Sequence, residues 1–421
     1  MRLWGWGKNS DGNLGDNTGT DRSSPVQTVA GGDDWKDIHV GYNGTMAIKE
    51  SGTLWTWGNG SNGVLGDLQT ENRSSPAVVA LEKRWKSIGG ANYYYGLACA
   101  IDTEDHLFTW GANDSGGLGQ NDTNSRSSPV QVGTKTWSQA SASAYVAGGV
   151  DTEGRLWMWG YNANGELGLN DIDNRSSPVQ VGSDTDWLMV APGYMYTMAI
   201  KNDGTLWGWG DGGYGKLGLG NDETYSSPVQ VGSASDWQLI RTGYLHSAGI
   251  RAGDYLYCWG RNYDGQLGLG DENDRSSPVQ VSGSWDDVSC GEYHTAALKY
   301  GGTVWCWGAN DNGQLGNNTD VPTSSPVQIY ANPEGWKVVS AGYSTVALTQ
   351  FGALVDTSSC SEQVCDVPAF KCHVGATSSC TCAKWKFYTA QCSRIQQSLG
   401  ICSGTSGAYV PAITICNQRL F

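Results

Sequence analysis

Short runs of alternating apolar and polar residues recur along the chain, and glycine, asparagine or aspartate bounds most of them. Residues 148–160 are an example, because two such runs flank the tight-turn sequence Thr152-Glu153-Gly154. Alternation with a period of two residues predicts β-strands, and the bounding residues predict turns. No segment has the longer periodicity of an amphipathic helix. The pattern therefore predicts an all-β protein.

These runs belong to a unit that occurs seven times, at intervals of about 50 residues. In each unit a Trp-Gly pair is followed eight residues later by Leu-Gly, and the Pro of Ser-Ser-Pro lies nineteen residues after the Trp. A second Trp lies in the variable part of every unit. The Trp-Gly tryptophans are Trp6, Trp57, Trp110, Trp159, Trp209, Trp259 and Trp307. Repetition of an all-β unit of this length predicts a seven-bladed β-propeller.

The two ends of the repeat array indicate how the ring closes. The first Trp-Gly strand, residues 3–7, has no partner strand before it, and the last apolar strand, residues 346–352, has no complete Trp-Gly strand after it. We expect the two strands to share one blade, which removes an exposed sheet edge. Residues 353–355 could compete for the same place. The propeller domain is predicted to span residues 1–355.

The repeat resembles that of a known family. The pattern Trp-Gly-x-Asn-x-x-Gly-x-Leu-Gly followed by Ser-Ser-Pro is similar to the RCC1 repeat, and residues 291–298 match that family's Gly-x-x-His-x-x-Ala-Leu element. The resemblance implies a seven-bladed propeller, and the near-identity of the units resembles microbial or viral members. It leaves the function open, because the family includes a chromatin-binding guanine-nucleotide exchange factor and a secreted β-lactamase inhibitor.

Charge and hydropathy exclude several classes of partner. The 421 residues carry a net charge of −15, and residues 1–355 hold 21 basic against 38 acidic side chains. An acidic body argues against nucleic acid and against anionic membrane surfaces as partners. No window approaches 18 consecutive apolar residues, so no membrane span is predicted. The N-terminus shows no apolar segment of signal-peptide length.

The tail, residues 356–421, is predicted to be a separate small domain. It holds eight of the twelve cysteines, a density typical of disulfide scaffolds. Zinc is the less favoured alternative, because Cys-x₂-Cys pairs are absent. Disulfides would place the protein in an oxidising environment, extracellular or on a virion surface. The disulfide candidates are Cys360, Cys365, Cys372, Cys380, Cys382, Cys392, Cys402 and Cys416.

Aromatic residues are the first candidates for binding a partner. Nineteen of the 20 tryptophans occupy repeat positions, which predicts packing rather than ligand contact. Tyrosines recur shortly after a glycine, where the chain should reach one face of the propeller, and exposed aromatic residues mark interfaces. These tyrosines are Tyr42, Tyr93, Tyr194, Tyr244, Tyr293 and Tyr343.

The sequence contains little that indicates catalysis or cofactor binding. The five histidines fit no Gly-x-Ser-x-Gly, His-Glu-x-x-His or phosphate-loop pattern, so neither an enzyme, a metal site nor a cofactor is predicted. The Asp- and Asn-rich loops, such as residues 16–21, 170–173 and 270–274, could offer oxygen ligands to Ca²⁺. Turn-forming side chains on a solvated face are the favoured interpretation of these loops.

These observations predict a non-enzymatic binding or structural protein exposed on a virion or cell surface. One propeller face would bind a protein or glycan partner, and the cysteine-rich tail would anchor the molecule to an assembly, with homo-oligomers left open. Two alternatives remain. One is an intracellular regulator or adaptor that resembles the exchange factor, and the other is a secreted enzyme inhibitor.

Overall fold

The alternating runs form short antiparallel strands in the computed structural model. The structure describes residues 1–42, 44–92, 96–329 and 335–349, together with four short strands in the tail. Two compact units are present, Met1–Thr349 and Gln350–Phe421. The domain boundary predicted at residue 355 stays a prediction, because residues 350–361 are not described.

Twenty-seven strands and two short 3₁₀ turns, Ser61–Gly63 and Gly213–Gly215, make up the described part of the first unit. In chain order the strands are β1 (Leu3–Gly7), β2 (Arg22–Gln27), β3 (Trp35–Val40), β4 (Gly44–Lys49), β5 (Leu54–Gly58), β6 (Arg73–Val79), β7 (Trp85–Asn92), β8 (Leu97–Asp102), β9 (His106–Gly111), β10 (Arg126–Ala142), β11 (Val146–Asp151), β12 (Leu156–Gly160), β13 (Arg175–Gln180), β14 (Trp187–Pro192), β15 (Tyr196–Lys201), β16 (Leu206–Gly210), β17 (Tyr225–Gln230), β18 (Trp237–Thr242), β19 (His246–Arg251), β20 (Tyr255–Gly260), β21 (Arg275–Val281), β22 (Trp285–Cys290), β23 (His294–Lys299), β24 (Thr303–Gly308), β25 (Thr323–Gln328), β26 (Trp336–Ala341) and β27 (Ser344–Thr349).

Within the described residues the sheets divide into seven four-stranded units, which we number as blades. Blade 1 is β3-β4-β5-β6, blade 4 is β14-β15-β16-β17, blade 5 is β18-β19-β20-β21 and blade 6 is β22-β23-β24-β25. Blades 2 and 3 form one seven-stranded sheet, because β10 is the outer strand of blade 2 and continues as the inner strand of blade 3. Blade 7 is β26-β27-β1-β2. This arrangement is an all-β propeller.

Blade 7 joins the two ends of the repeat array, as the sequence predicts. Strand β1 pairs antiparallel with β27, so that Trp4 lies opposite Ala347 and Trp6 opposite Thr345. Two strands from each end of the array therefore complete one sheet. The hydrogen bonds of this sheet hold the ring closed and leave neither β1 nor β27 as an open edge.

The asparagine of the repeat motif explains why the loop after each Trp-Gly strand is compact. The side-chain Oδ1 of Asn162 accepts the backbone N–H of Leu167 over 2.9 Å, and its Nδ2 donates to Asp171. Asn162 is fully buried, so the side chain replaces water for backbone groups inside the loop. The same bond to the Leu of Leu-Gly is made by Asn9, Asn113, Asn262 and Asn310.

Tryptophans fill the core of each blade, as predicted. Every Trp-Gly tryptophan is completely buried, and the second Trp of each repeat is at most 5% exposed. Within a blade the two indoles meet edge to face or tilted, as Trp6 does with Trp336 at 5.8 Å and Trp285 with Trp307 at 5.5 Å. Large aromatic rings in this geometry contribute both buried area and ring–ring attraction.

The second unit has two described strand pairs. Strand β28 (Glu362–Val367) pairs antiparallel with β29 (Phe370–Gly375), and β30 (Ile401–Ser403) pairs with β31 (Tyr409–Pro411). The side chains of the eight tail cysteines lie outside the described residues, so the predicted disulfide module gains no support from the structure. The four propeller cysteines, Cys99, Cys258, Cys290 and Cys306, are buried free thiols.

Candidate functional site: the channel and its tyrosine mouth

The innermost strands of the seven blades surround a central channel. These strands are β3, β7, the second half of β10, β14, β18, β22 and β26, and they line a cavity of about 520 Å³. All seven occupy the same place in the repeat and run in the same direction along the channel. The hairpin turns that follow them therefore cluster at one mouth.

Tyrosines from these turns form a ring around that mouth, which we call the tyrosine collar. Tyr42 and Tyr343 share a hydroxyl–hydroxyl bond of 2.7 Å, and Tyr194 stacks on Tyr244 with ring centroids 4.2 Å apart. Tyr293 meets Tyr244 edge to face at 5.9 Å. The described members of the collar are Tyr42, Tyr145, Tyr194, Tyr244, Tyr293 and Tyr343.

Five of the six tyrosines singled out from the sequence thus lie together, whereas Tyr93 lies outside the described residues. Tyr145 belongs to the collar but was missed, because it follows Ser143-Ala144 instead of a glycine. The rings pack against each other, and Tyr42 is only 9% exposed. The collar is therefore a packed rim and not a row of free aromatic platforms.

Glu292 is a second member that the sequence analysis missed. It stands two residues before the first residue of β23, the position that Tyr244 occupies before β19 and Tyr194 before β15. Glu292 is 5% exposed, and burial raises the pKa of its carboxyl, although hydrogen bonds from the Tyr343 and Tyr293 hydroxyls oppose that rise. Burial and the same contacts raise the pKa of both tyrosines. Aligning the repeats on His246 and His294 would have placed Glu292 in the ring.

Two cations border the collar from the loops after the Trp-Gly strands. Lys8 Nζ lies 4.2 Å from the centroid of the Tyr343 ring. The guanidinium of Arg261 lies 5.4 Å from Tyr293, 5.9 Å from Tyr214 and 5.5 Å from Tyr263. Cations over aromatic faces are attracted by the ring quadrupole. These contacts extend the collar outward, on blades 4 and 5, into a surface that we call the Arg261 patch: Arg261, Tyr214 and Tyr263.

Among the described residues, the Arg261 patch is an exposed aromatic surface in contact with the collar. Tyr263 is 71% exposed and Tyr214 is 51% exposed, while Arg261 is held between them at one quarter exposure. Tyrosine and arginine are enriched at the energetic centres of protein interfaces. The patch therefore has the chemistry of a protein-binding surface.

Side chains of the inner strands form two layers in the channel, two and four residues after the inner Trp of each blade. The layer farther from the collar includes Asp37, Gln139 and Asp287. The nearer layer includes His39, Ser141, Ala191, Arg241, Ser289 and Ser340. Several of these groups bond to the backbone of the next inner strand, and Ser340 Oγ accepts the N–H of Val40 over 2.8 Å. The layers satisfy strand edges that would otherwise lack partners.

The histidines of the family element have a structural place. His246 and His294 are buried, and their Nε2 atoms lie 2.9 and 2.8 Å from the hydroxyls of Thr295 and Thr345. Each of these hydroxyls donates to a main-chain carbonyl, so it accepts from a histidine Nε2–H. Burial lowers the pKa of both rings to about 3, which keeps them neutral.

The Asp-rich loops use their carboxylates internally. Asp271 Oδ2 lies 2.6 Å from the guanidinium of Arg275, and Asp271 Oδ1 accepts the N–H of Asn273. Bonds from Asn273 and Arg275 hold the pKa of Asp271 below its usual range. The same acid–arginine pair recurs in the loops of Asp16, Asp67, Asp122 and Asp171. This geometry agrees with the turn interpretation.

The fold and the repeat loops define the class of protein as a β-propeller of RCC1-type repeats. The RCC1-like domain model matches residues 2–286, and models of the regulator of chromosome condensation (RCC1) repeat match residues 285–314 and 301–348. The chain belongs to the RCC1-like domain family.

Sequence relatives match only part of the chain. The Ultraviolet-B receptor UVR8 of Arabidopsis thaliana is 33% identical over 132 residues, which are 31% of this chain and 30% of the receptor. The Protein RCC2 homolog of Danio rerio is 30% identical over 125 residues, 28% of this chain and 24% of the relative. The human E3 ubiquitin-protein ligase HERC2 is 28% identical over 138 residues, 32% of this chain but only 3% of the ligase.

Solved structures resemble the propeller more completely. Human WBSCR16 superposes with a TM-score of 0.73 and 20% identity, and the match covers 83% of this chain and all of that chain. Yeast RCC1 (Prp20), solved with Kap60 bound, gives a TM-score of 0.75 and 19% identity over 84% of this chain and 89% of that one. At these identities the likeness shows the fold.

The predicted virion or cell-surface function and the predicted extracellular or virion location are wrong. The relatives are named as an ultraviolet-B receptor, a ubiquitin-protein ligase and an RCC2 homolog, and one similar structure is described by its binding to Gsp1p and histones. None of these names denotes a virion or extracellular surface protein, and this finding overturns the prediction. The error came from treating tail cysteine density as a sign of an oxidising environment, because a thiol count does not fix the oxidation state. No helix among the described residues is long and apolar enough to cross a membrane.

Proposed function

We propose that the chain is an intracellular RCC1-like regulator or adaptor that acts by binding a protein and carries out no covalent chemistry of its own. The Arg261 patch carries this proposal, because exposed Tyr214 and Tyr263 flank a guanidinium beside the collar. Yeast RCC1 is described in complex with Kap60, which supports a propeller of this fold as a protein-binding scaffold. The match to HERC2 covers too little of the ligase to suggest ubiquitin transfer.

The binding surface can be tested with a matched pair of variants. Tyr214→Ser combined with Tyr263→Ser removes the patch aromatics. Tyr255→Ser combined with Tyr300→Ser removes tyrosines of similar exposure, 48% and 53%, at the hairpins that follow β19 and β23. Consecutive hairpins of an antiparallel blade lie at opposite ends, so the second pair changes the opposite face of the propeller.

Quantitative interaction proteomics with the tagged full chain would compare wild type, patch variant and control. We expect at least one partner protein to be absent from the patch variant's interactions and present in those of the control. The purified partner should bind the wild-type chain at least tenfold more tightly than it binds the patch variant. Loss of the same partners from both variants, or from neither, would contradict the proposal.

Exchange-factor activity is tested in a separate arm. Release of a fluorescent guanine nucleotide from a purified small GTPase is followed with and without the chain. Acceleration that the patch variant abolishes would define the regulator as an exchange factor. Binding to a partner without acceleration would define it as an adaptor.

An intracellular regulator should also carry reduced thiols. Alkylation of the natively sourced, unfolded protein without reductant should then modify all twelve cysteines. Resistance of the eight tail cysteines would instead support the disulfide module and oppose the intracellular proposal.

A further inference from the structure

The channel contains two hydrogen-bond donors that the fold itself uses little. Arg241, on the inner strand of blade 5, donates from Nη1 to the carbonyl of Ile240 at 3.3 Å. Its Nη2 is 3.8 Å from Asp287 Oδ1, which is too long for a hydrogen bond. The side chain is 40% exposed, although it lines the cavity. The guanidinium therefore forms one main-chain bond and a long ion pair with Asp287, and its other N–H donors stay available in the channel.

His39 approaches the same layer of the channel from blade 1. Its Nε2 is buried and has no hydrogen-bond partner among the described residues. Burial and, to a lesser degree, the charge of Arg241 lower the pKa of His39 to about 4, so the ring is neutral at pH 7 and one ring nitrogen can donate. Blades 5 and 1 are three places apart in a ring of seven, so the two side chains face each other nearly across the channel.

The neighbouring polar groups are already bonded within the fold. Asp37 Oδ1 accepts the N–H of Ile38 over 2.9 Å, and its carboxylate also accepts the N–H of Ile88 from the next blade. Asp287 Oδ1 accepts the N–H of Val288 over 2.9 Å. These carboxylates belong to the layer farther from the collar. Among the described residues that line the channel, donors that the fold leaves unused therefore lie on half-exposed Arg241 and on the buried Nε2 of His39.

We propose that the channel binds a small organic monocarboxylate, whose carboxylate accepts hydrogen bonds from Arg241 and His39. The cavity, about 520 Å³, has the size of a small-molecule site. Met189, Ala191 and Pro192 of blade 4 offer an apolar wall for the rest of the ligand. Asp37 and Asp287 also line the channel and repel each negative charge of a ligand, so the site should favour a monoanion held by Arg241 over dianions such as hydrogen phosphate.

Isothermal titration calorimetry on the purified full chain tests the ligand class with three probes of one shape. Butyrate carries the carboxylate, butyramide is its neutral analogue and butylammonium carries the opposite charge. We expect butyrate to bind once per chain, and butyramide, butylammonium and phosphate each to bind at least about tenfold more weakly. Preferred binding of butylammonium, or no binding of butyrate at millimolar concentration, would overturn the proposal.

Variants of the two donors test their roles. Arg241→Gln should weaken butyrate binding by about tenfold or more, because it removes a charge-assisted bond. His39→Phe should weaken it several-fold, and Ser87→Ala, which also changes a lining residue, should leave it within twofold. If Arg241→Gln does not fold, Arg241→Lys takes its place. The lysine keeps the charge but loses the two-pronged donor geometry, so it should retain only part of the affinity for butyrate. Unchanged affinity in the Arg241 variants would refute the site.

Nuclear magnetic resonance of the imidazole provides a readout that does not depend on heat. Butyrate should shift the Nε2 resonance of His39 in the wild type and leave those of buried His246 and His294 in place. A shift of all three rings, or of none, would contradict direct contact with His39. Because these experiments use the isolated chain, they can fail or succeed independently of the protein partner proposed above.

Discussion

The indole of Trp209 donates its Nε1–H to the main-chain carbonyl of Glu166, 2.8 Å away across the boundary between blades 3 and 4. The same bond joins six of the seven blade boundaries, at 2.8–3.0 Å, through Trp57, Trp110, Trp159, Trp209, Trp259 and Trp307. The Trp-Gly element therefore connects each blade to the one before it as well as filling its own core.

Replacing one of these indoles should measure the strength of a blade boundary. Trp209→Phe removes the donor, leaves buried space and reduces the bonding of the Glu166 carbonyl, so we expect a loss of about 2–4 kcal/mol in the free energy of unfolding. Trp207→Phe is the matched control. That indole is half-buried, and its Nε1–H donates to the hydroxyl of Thr205 in the same blade, so it makes no hydrogen bond across a blade boundary. Urea denaturation of both variants checks the difference. Equal losses would show that Trp209 stabilises the fold through its buried apolar area and not through its hydrogen bond to Glu166.

This contact also shows what the sequence can predict. The loop asparagine, the Leu-Gly and the Trp-Gly lie within one repeat or at the start of the next, so their spacing predicts the fold and the buried tryptophans. The channel pair cannot be predicted in this way. Arg241 and His39 are about 200 residues apart, and each is unique to its blade, so only closure of the ring brings them into one layer.

The collar lies between these two cases. A tyrosine near the end of each inner strand is visible in the sequence, but Glu292 is found only when the repeats are aligned on His246 and His294, which places it level with Tyr244. Strand β26 is joined to β27 by a turn one residue shorter than the others, because Ala341 pairs with Thr345 whereas Cys290 pairs with Thr295. Hairpin length and collar side chains thus vary between blades while the repeat motif stays the same.

The glycine of Leu-Gly should be intolerant of a side chain for two separable reasons. Gly168 has φ +71°, and a Cβ there would lie 2.8 Å from Trp209 Nε1. Gly182 has φ +62° with nothing within 4 Å of its Cβ position. Gly182→Ala should therefore cost about 1 kcal/mol for the left-handed backbone alone. Gly168→Ala should cost roughly 2 kcal/mol more, because the indole must move. Chemical denaturation of the two variants gives both losses in the free energy of unfolding. Similar losses would show that the Trp209 indole moves aside at little energetic cost.

A buried lysine pairs with a partly exposed aspartate in the loop after β16 of blade 4. Lys216 is 1% exposed, its Nζ is 2.6 Å from Asp211 Oδ2, and burial lowers its pKa in spite of that partner. Asp211→Asn leaves the ammonium without its bonded carboxylate, so we expect a loss of about 3–5 kcal/mol. Adding Lys216→Met should restore much of that stability, because the double variant buries no charge of this pair. Thermal unfolding of the single and double variants checks the result. Additive losses would contradict the expected coupling.

The two buried histidines should make the propeller acid-sensitive. Their pKa in the folded protein is about 3, below the ordinary value of 6.5, so the fold stabilises the neutral rings. Between pH 6.5 and pH 3 the unfolded chain binds more protons than the folded one, and the free energy of unfolding falls as the pH falls. Each histidine should remove on the order of 2 kcal/mol between pH 7 and pH 5. Urea denaturation at pH 7, 6 and 5 measures the slope.

Carboxylates also titrate below pH 5, so the assignment depends on a variant that keeps the geometry and cannot titrate. His246→Gln with His294→Gln can still donate an amide N–H to Thr295 and Thr345, and its stability should fall less steeply between pH 7 and pH 5. His106→Gln is the control for exchanging an imidazole for an amide outside the blade boundaries, because that ring lies 29% exposed at a hairpin. If the double variant keeps the wild-type slope, the acid sensitivity belongs to other groups, and the two histidines act only as neutral hydrogen-bond donors between blades.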